Sequence, residues 1–296
     1  MPVLELPDVR INYVCLGPSE PPAGGDEPIV LLHGLASSLA FWYFRIAPAL
    51  ARCHRVVMLD LRGHGRSSMP PTGYAGAPMA GDLSALLDHL AIERAHIIGH
   101  SFGGNVALQF AYHHPDRTAR LTLADVRVRS LQPKVDLQNW SIWPRYRSQL
   151  ERIGIEVDEA AKEIGFEMFE RLARLRLARP EDLQQLDPVA ASPFSGGGGD
   201  AAARRWLELL ETTAIRHELV DTISVRPEDL AVLAVPTLLV YGEYSHCLPT
   251  AHGLLRLLPD ARLETVPGAG HFFPAKFPDR FVERVLTFTP DGCVPA

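Results

Sequence analysis

The chain has 296 residues, 47% of them apolar and 22% charged, close to the averages of a soluble globular protein. That length allows one large domain, or one domain carrying a sizeable insertion. The formal net charge of −6 argues against a nucleic-acid binder and against a protein held to an anionic membrane, because both normally show a basic excess or patch.

The N-terminal residues lack a basic segment followed by an apolar run, so no signal peptide is expected. No apolar stretch reaches the roughly 18 residues needed to span a bilayer. Cys15, Cys53, Cys247 and Cys293 have no CxxC spacing. They are expected to be reduced thiols in a cytoplasmic protein, not a zinc site or a disulfide framework. Ile29–Leu32 is the first unbroken apolar run, as for a strand buried on both faces. His33-Gly34 ends it with a turn that leaves the backbone N–H of Leu35 exposed, while the His33 ring is expected to brace the loop. A helical pattern over 40–51 precedes a second buried run, Val56–Leu59. Helical patterns at 79–91 and 103–114 then alternate with the apolar runs His96–Ile98 and Leu121–Ala124. From about Arg127 to Pro227 no strand is expected, and helical spacing dominates over Tyr146–Ile153, Val157–Leu177 and Ala201–Ile223. The alternation resumes with strands at Thr237–Val240 and Arg262–Val266 and helices at 250–258 and 276–288. This order implies βαβ units and a mostly parallel sheet. The predicted division is a core of residues 1–126 and 228–296, interrupted by a helical cap at 127–227.

Gly99-His100-Ser101-Phe102-Gly103 is a G-x-S-x-G segment between a buried strand and a helical pattern. That context marks a sharp turn presenting Ser101 as a nucleophile at a helix N-terminus. The free N–H of Phe102 favours negative charge beside it. With Leu35 it would supply two donors for an oxyanion. His271 lies on the Gly-rich loop 267–273 after a strand, at the carboxyl edge where sites form in open α/β sheets. It is the candidate general base and acid.

These residues together resemble the α/β-hydrolase superfamily, in its cap-bearing, esterase-like branch. The resemblance rests on His33-Gly34-Leu35, on Asp60 to Ser67, on Gly99 to Gly103, on Pro236 to Gly242 and on Gly270-His271. It implies an eight-stranded, mostly parallel sheet, a Ser-His-acid triad and a cap inserted after strand 6. It also implies an aspartate near position 245, where this chain has Ser245. Three readings stay open. Asp125, at the tip of the strand before the insert, is the favoured acid. Glu243 is a second choice. In the third there is no acid, and the protein is a slow enzyme or a ligand-binding relative.

The expected activity is hydrolysis of an ester, thioester or lactone with a hydrophobic acyl or aryl part. Carbon–carbon bond hydrolysis and acyl transfer or cyclisation share the scaffold. Epoxide hydrolysis is disfavoured, because those relatives use aspartate where Ser101 stands. His100, Phe41, Trp140 and Trp143 are candidates to line the substrate pocket. No cofactor or metal is expected, and the partner is a small molecule, not nucleic acid or membrane.

Overall fold

The computed structural model describes residues 2–18, 27–157, 164–186, 192–221 and 225–289. Its centre is an eight-stranded sheet in the order β1-β2-β4-β3-β5-β6-β7-β8. The strands are β1 (Val3–Glu5), β2 (Arg10–Leu16), β3 (Ile29–Leu32), β4 (Val56–Leu59), β5 (Ala95–His100), β6 (Thr118–Ala124), β7 (Thr237–Gly242) and β8 (Ala261–Val266). From β4 to β8 every neighbouring pair is parallel, whereas β2 runs antiparallel to both β4 and β1. This is the eight-stranded α/β-hydrolase sheet that the resemblance implied. Its first two strands carry no clear signal in the sequence. β2 breaks its apolar residues with Arg10 and Asn12 and buries Asn12.

The core helices before the insert are α1 (Ala40–Tyr43), α2 (Ile46–Leu50), α3 (Gly76–His89) and α4 (Phe102–His113). Between β6 and β7 lie α5 (Trp143–Arg152), α6 (Ile164–Ala178), α7 (Gly199–Thr212), α8 (Ile215–Asp221) and α9 (Pro227–Ala231). α10 (Leu248–Leu257), α11 (Phe273–Lys276) and α12 (Pro278–Phe288) complete the chain. Among the described residues no strand falls between Ala124 and Thr237, and no helix is long and apolar enough to cross a membrane.

Three predicted helices are each two. The pattern over 40–51 breaks at Phe44-Arg45, which places Pro48 in the first turn of α2, where its missing N–H has no intrahelical acceptor to lose. The pattern over 276–288 breaks before Pro278, the first residue of α12. The stretch 201–223 breaks at Thr213, whose hydroxyl donates to Leu209 O at 2.6 Å and competes with the helical ladder. Parts of the predicted stretches 157–177 and 201–223 lie outside the described residues. Cys15 and Cys247 are free thiols, but Cys53 is disulfide-bonded, which corrects the expectation of four reduced cysteines. Cys293 lies outside the described residues.

The sheet is apolar on both faces. Val30 and Leu32 pack with α3, α4 and the insert, while Ile29 and Leu31 pack with α1, α2 and α12. Complete burial of such side chains stabilises the fold by about 1.5–3 kcal/mol each. His33, His64 and His96 are among the histidines buried in this interior. Burial holds His33 down at about 4, and His64 and His96 at about 3. Asp60 beside His64 pulls the other way more weakly, and Arg205 adds to the lowering. In the unfolded chain a histidine titrates near about 6.5. Below that pH the unfolded state takes up protons that the folded state refuses, so stability is full above it and falls as pH drops toward the folded values. At pH 5 the expected loss is about 2 kcal/mol per histidine. Urea midpoints measured from pH 7 down to pH 5 should decline steeply; a flat profile would contradict this account.

Candidate active site

β3 and β5 are neighbours at the centre of the sheet, and the strands that follow them lie on opposite sides. A crevice opens at such a switch point beyond the carboxyl ends of the strands. Ser101 sits there, between β5 and α4, with φ 53° and ψ −122°. The turn is tight enough to exclude side chains. A Cβ on Gly99 would lie 2.4 Å from Gly103 O, and one on Gly103 would lie 2.4 Å from His33 O. Gly103→Ala should therefore cost about 3 kcal/mol or more, because the atoms it meets are backbone. A denaturation midpoint indistinguishable from the parent's would refute that packing argument.

The Ser101 Oγ is 3.0 Å from His271 Nε2, and His271 Nδ1 is 2.8 Å from Asp125 Oδ1. Asp125 ends β6 with φ 53° and is fully buried. Its carboxylate accepts two further donations. Gly242 N–H donates to Oδ2 at 2.8 Å, and the Ser245 hydroxyl donates to Oδ1, the oxygen that also faces His271. Ser245 is thus a partner of the acid rather than a vacancy in the relay. Its Oγ in turn accepts the Cys247 N–H at 2.9 Å. Glu243 points elsewhere: it accepts the Gly268 N–H at 2.8 Å and pins the loop that bears His271. Of the three readings of the acid, the geometry brings Asp125 to the histidine and leaves Glu243 away from it.

Leu35 and Phe102 both border the same cavity as Ser101. Among the described residues neither backbone N–H has a hydrogen-bond partner. Phe102 opens α4, so its N–H has no helical acceptor. Gly34 packs so closely that a Cβ there would be 3.0 Å from Ser101 Cβ. His33 holds this turn: Leu61 N–H donates to its Nε2 at 3.1 Å, and its Nδ1–H donates to Gly34 O at 2.7 Å.

The cavity has a volume of about 200 Å³ and is mostly apolar. Trp140, Tyr146, Phe166, Met168, Phe169 and Trp206, from the insert, form much of its wall. Arg127, Arg129 and Glu218 add charge. Trp140 Nε1 donates to Tyr244 O at 2.7 Å, which ties the insert to the loop after β7. Glu218 makes a second tie by accepting the N–H groups of Gly73, at 2.8 Å, and Tyr74.

The other pocket candidates need correction. Trp143 is buried behind Trp140, the rings stacked 5.7 Å apart, and does not face the cavity. Phe41 stacks on His100 at 4.7 Å and also lies off the cavity. His100 is buried beneath the site; its Nε2–H donates to the His271 carbonyl at 2.9 Å, and burial lowers its pKa to about 3. It is a neutral ring that positions the His271 loop, not a substrate contact. His246 and Cys247, to which the sequence assigns no metal motif and only an incidental thiol, do line the cavity. Their position just after Ser245, on the loop facing the histidine, was the available signal. Burial pushes the Cys247 thiol well above its ordinary pKa, with Asp125 adding to the rise. A thiol held protonated is a poor nucleophile, which leaves Ser101 without a rival there.

Comparison with known proteins agrees with this architecture. The sequence profile of the family described as alpha/beta hydrolase fold matches residues 27–278. The chain is similar to a dihydrolipoyllysine-residue acetyltransferase component of the acetoin cleaving system of Cupriavidus necator, with 40% identity over 115 residues. It is also similar to a soluble epoxide hydrolase of Corynebacterium sp., with 42% identity over 117 residues. These matches cover 39% and 40% of this chain, but only 29% and 38% of the two relatives. A solved structure with the same architecture is Est816, described as an N-acyl homoserine lactone degrading enzyme. The likeness covers 97% of this chain and 100% of that one, at 25% identity and a TM-score of 0.65. By its profile match and its sheet, the chain belongs to the α/β-hydrolase fold family.

Proposed function

We propose that the protein is a serine hydrolase that cleaves an ester, thioester or lactone with a hydrophobic acyl part. One observation carries the reading: the Ser101–His271–Asp125 hydrogen-bond chain opens onto an apolar cavity bordered by two undonated N–H groups. His271 Nε2 takes the Ser101 proton as Oγ attacks the carbonyl. The Leu35 and Phe102 N–H groups receive the charge that develops on the carbonyl oxygen; one such donor is worth about 3–4 kcal/mol. Asp125 holds the imidazolium that forms, and His271 then passes the proton to the leaving group. Water hydrolyses the acyl-enzyme by the same route in reverse.

The helical insert, 127–227, acts as a cap whose aromatic wall receives the acyl group. A wall of this kind favours apolar over sugar-like or nucleotide-like groups. The likeness to Est816 supports a lactone or ester within that class. The match to an epoxide hydrolase does not carry its chemistry over, because Ser101 offers a hydroxyl, not a carboxylate, at the turn.

The test is a pre-steady-state assay on p-nitrophenyl esters of increasing chain length, paired with fluorophosphonate labelling mapped by peptide mass. A burst equal to the enzyme concentration and a label on Ser101 are expected. Folded protein that gives neither would remove the acyl-enzyme from consideration.

A further inference from the structure

Beside the proposed relay lies a second constellation that the hydrolytic reading does not use. His246, Cys247 and His271 each present one ligand atom, and these atoms lie within 4.8 Å of one another. Cys247 Sγ is 3.9 Å from His271 Nδ1, and the His246 and His271 rings stand 4.9 Å apart. His246 Nδ1 is buried and has no hydrogen-bond partner among the described residues. A buried nitrogen without a partner is costly unless something occupies it. All three residues line the cavity, so an ion entering with solvent reaches them.

We propose that this trio is an inhibitory site for a thiophilic divalent cation of the zinc type. One thiolate and two imidazoles are a soft donor set suited to zinc, and they leave the fourth place of a tetrahedral ion to water or a small anion. The inference rests on the reading of His271 as general base, and it supplies that base with an off state. In the resting site His271 carries its proton on Nδ1, donated to Asp125, and keeps the Nε2 lone pair for Ser101. A cation on Nδ1 displaces that proton. The imidazole stays neutral by taking the proton on Nε2, so the acceptor for the Ser101 hydroxyl is gone. His271 and Asp125 must part, and Asp125 keeps its donors from Gly242 and Ser245. Cys247 loses its thiol proton to solvent on forming the metal–sulfur bond. The balance is one proton released per ion bound, with no redox change.

The experiment is calorimetric titration of the protein with zinc ions in buffers of different ionisation enthalpy, run beside an esterase assay at the same zinc concentrations. One ion per chain, about one proton released, and loss of activity that follows occupancy and reverses with chelator are expected. His246→Ala and Cys247→Ala, each compared with its own zinc-free rate, should weaken zinc binding by at least about 100-fold, since even outer contacts to a metal site are worth 10–100-fold. Circular dichroism establishes that both variants fold. Absence of one-to-one binding, or binding unchanged in both variants, overturns the site while leaving the hydrolase reading intact. Stoichiometric binding with full activity overturns the coupling, since the ion then leaves His271 with Asp125 and Ser101. A protein inactive on esters even without zinc, yet binding it through these residues, would count against the hydrolase reading alone.

Discussion

Ser101→Ala is expected to lower kcat by on the order of 10⁶ and to leave the fold intact, as loss of the nucleophile does in serine hydrolases generally. The effect is large because no neighbouring group can substitute. Cys247 lines the same cavity as Ser101, and burial keeps it protonated. His271 retains its bond to Asp125, so it is poised but has nothing to activate. Alanine also keeps a Cβ, so the backbone at φ 53° is neither relieved nor further strained. Single-turnover rates and a denaturation midpoint, measured together, separate lost chemistry from lost structure. Residual turnover within about tenfold of the parent would show that another group carries the reaction.

Asp125→Asn comes next, with an expected loss of about 10⁴ in kcat. The geometry says why so isosteric a change is so harmful. Gly242 N–H must still find an acceptor at the Oδ2 position, so the asparagine oxygen goes there. The amide nitrogen then faces His271 Nδ1 and forces the ring into the opposite tautomer, with its proton on Nε2. That nitrogen can no longer take the Ser101 proton. Ser245 offers a way to test the placement of the charge and not merely its presence. Its Oγ bonds the very carboxylate oxygen that serves His271, so a carboxyl group built at 245 reaches the same ring. Ser245→Asp in the Asp125→Asn background should restore at least about tenfold of the lost rate. Ser245→Asp alone sets two carboxylates in contact and should weaken the folded state. A double variant no better than Asp125→Asn would mean that position 245 cannot reach the histidine.

The site was legible in the sequence where chemistry and backbone geometry coincide. Gly99, Ser101 and Gly103 admit few conformations, and the strand before and helix after them are strong local patterns. His271 could be placed by its loop alone. Asp125 could be favoured from its place at the strand tip beside Ser101, and what the sequence hid was its support. The bonds from Ser245 and Gly242 join residues 117 and 120 positions away in the chain, and such contacts leave no periodic trace. His100 was misread for a related reason. Its place beside Ser101 suggested the pocket, but alternation along β5 turns its ring to the far side, under the His271 loop. β1 and β2 went unseen because their short, mixed pattern is stabilised by pairing with β4, which the local sequence does not record. Two of the split helices follow from Pro48 and Pro278, whose positions can be read but whose consequence cannot, and the third from the Thr213 hydroxyl.

Ser101 and Asp125, at the tips of adjacent strands, are both held at φ 53°, a conformation that glycine adopts freely and other residues reach at a cost of about 1–2 kcal/mol. Each is locked there by its neighbour strand, through Ser101 N–H to Ala124 O and Asp125 N–H to Val240 O. The architecture therefore does not need these two side chains; it tolerates them. A lineage selected for endurance alone would gain by placing glycine at either tip and would lose its chemistry in the same step. Glycine at either of these two positions in a related chain would thus be a mark of retirement from catalysis, legible before any assay is run.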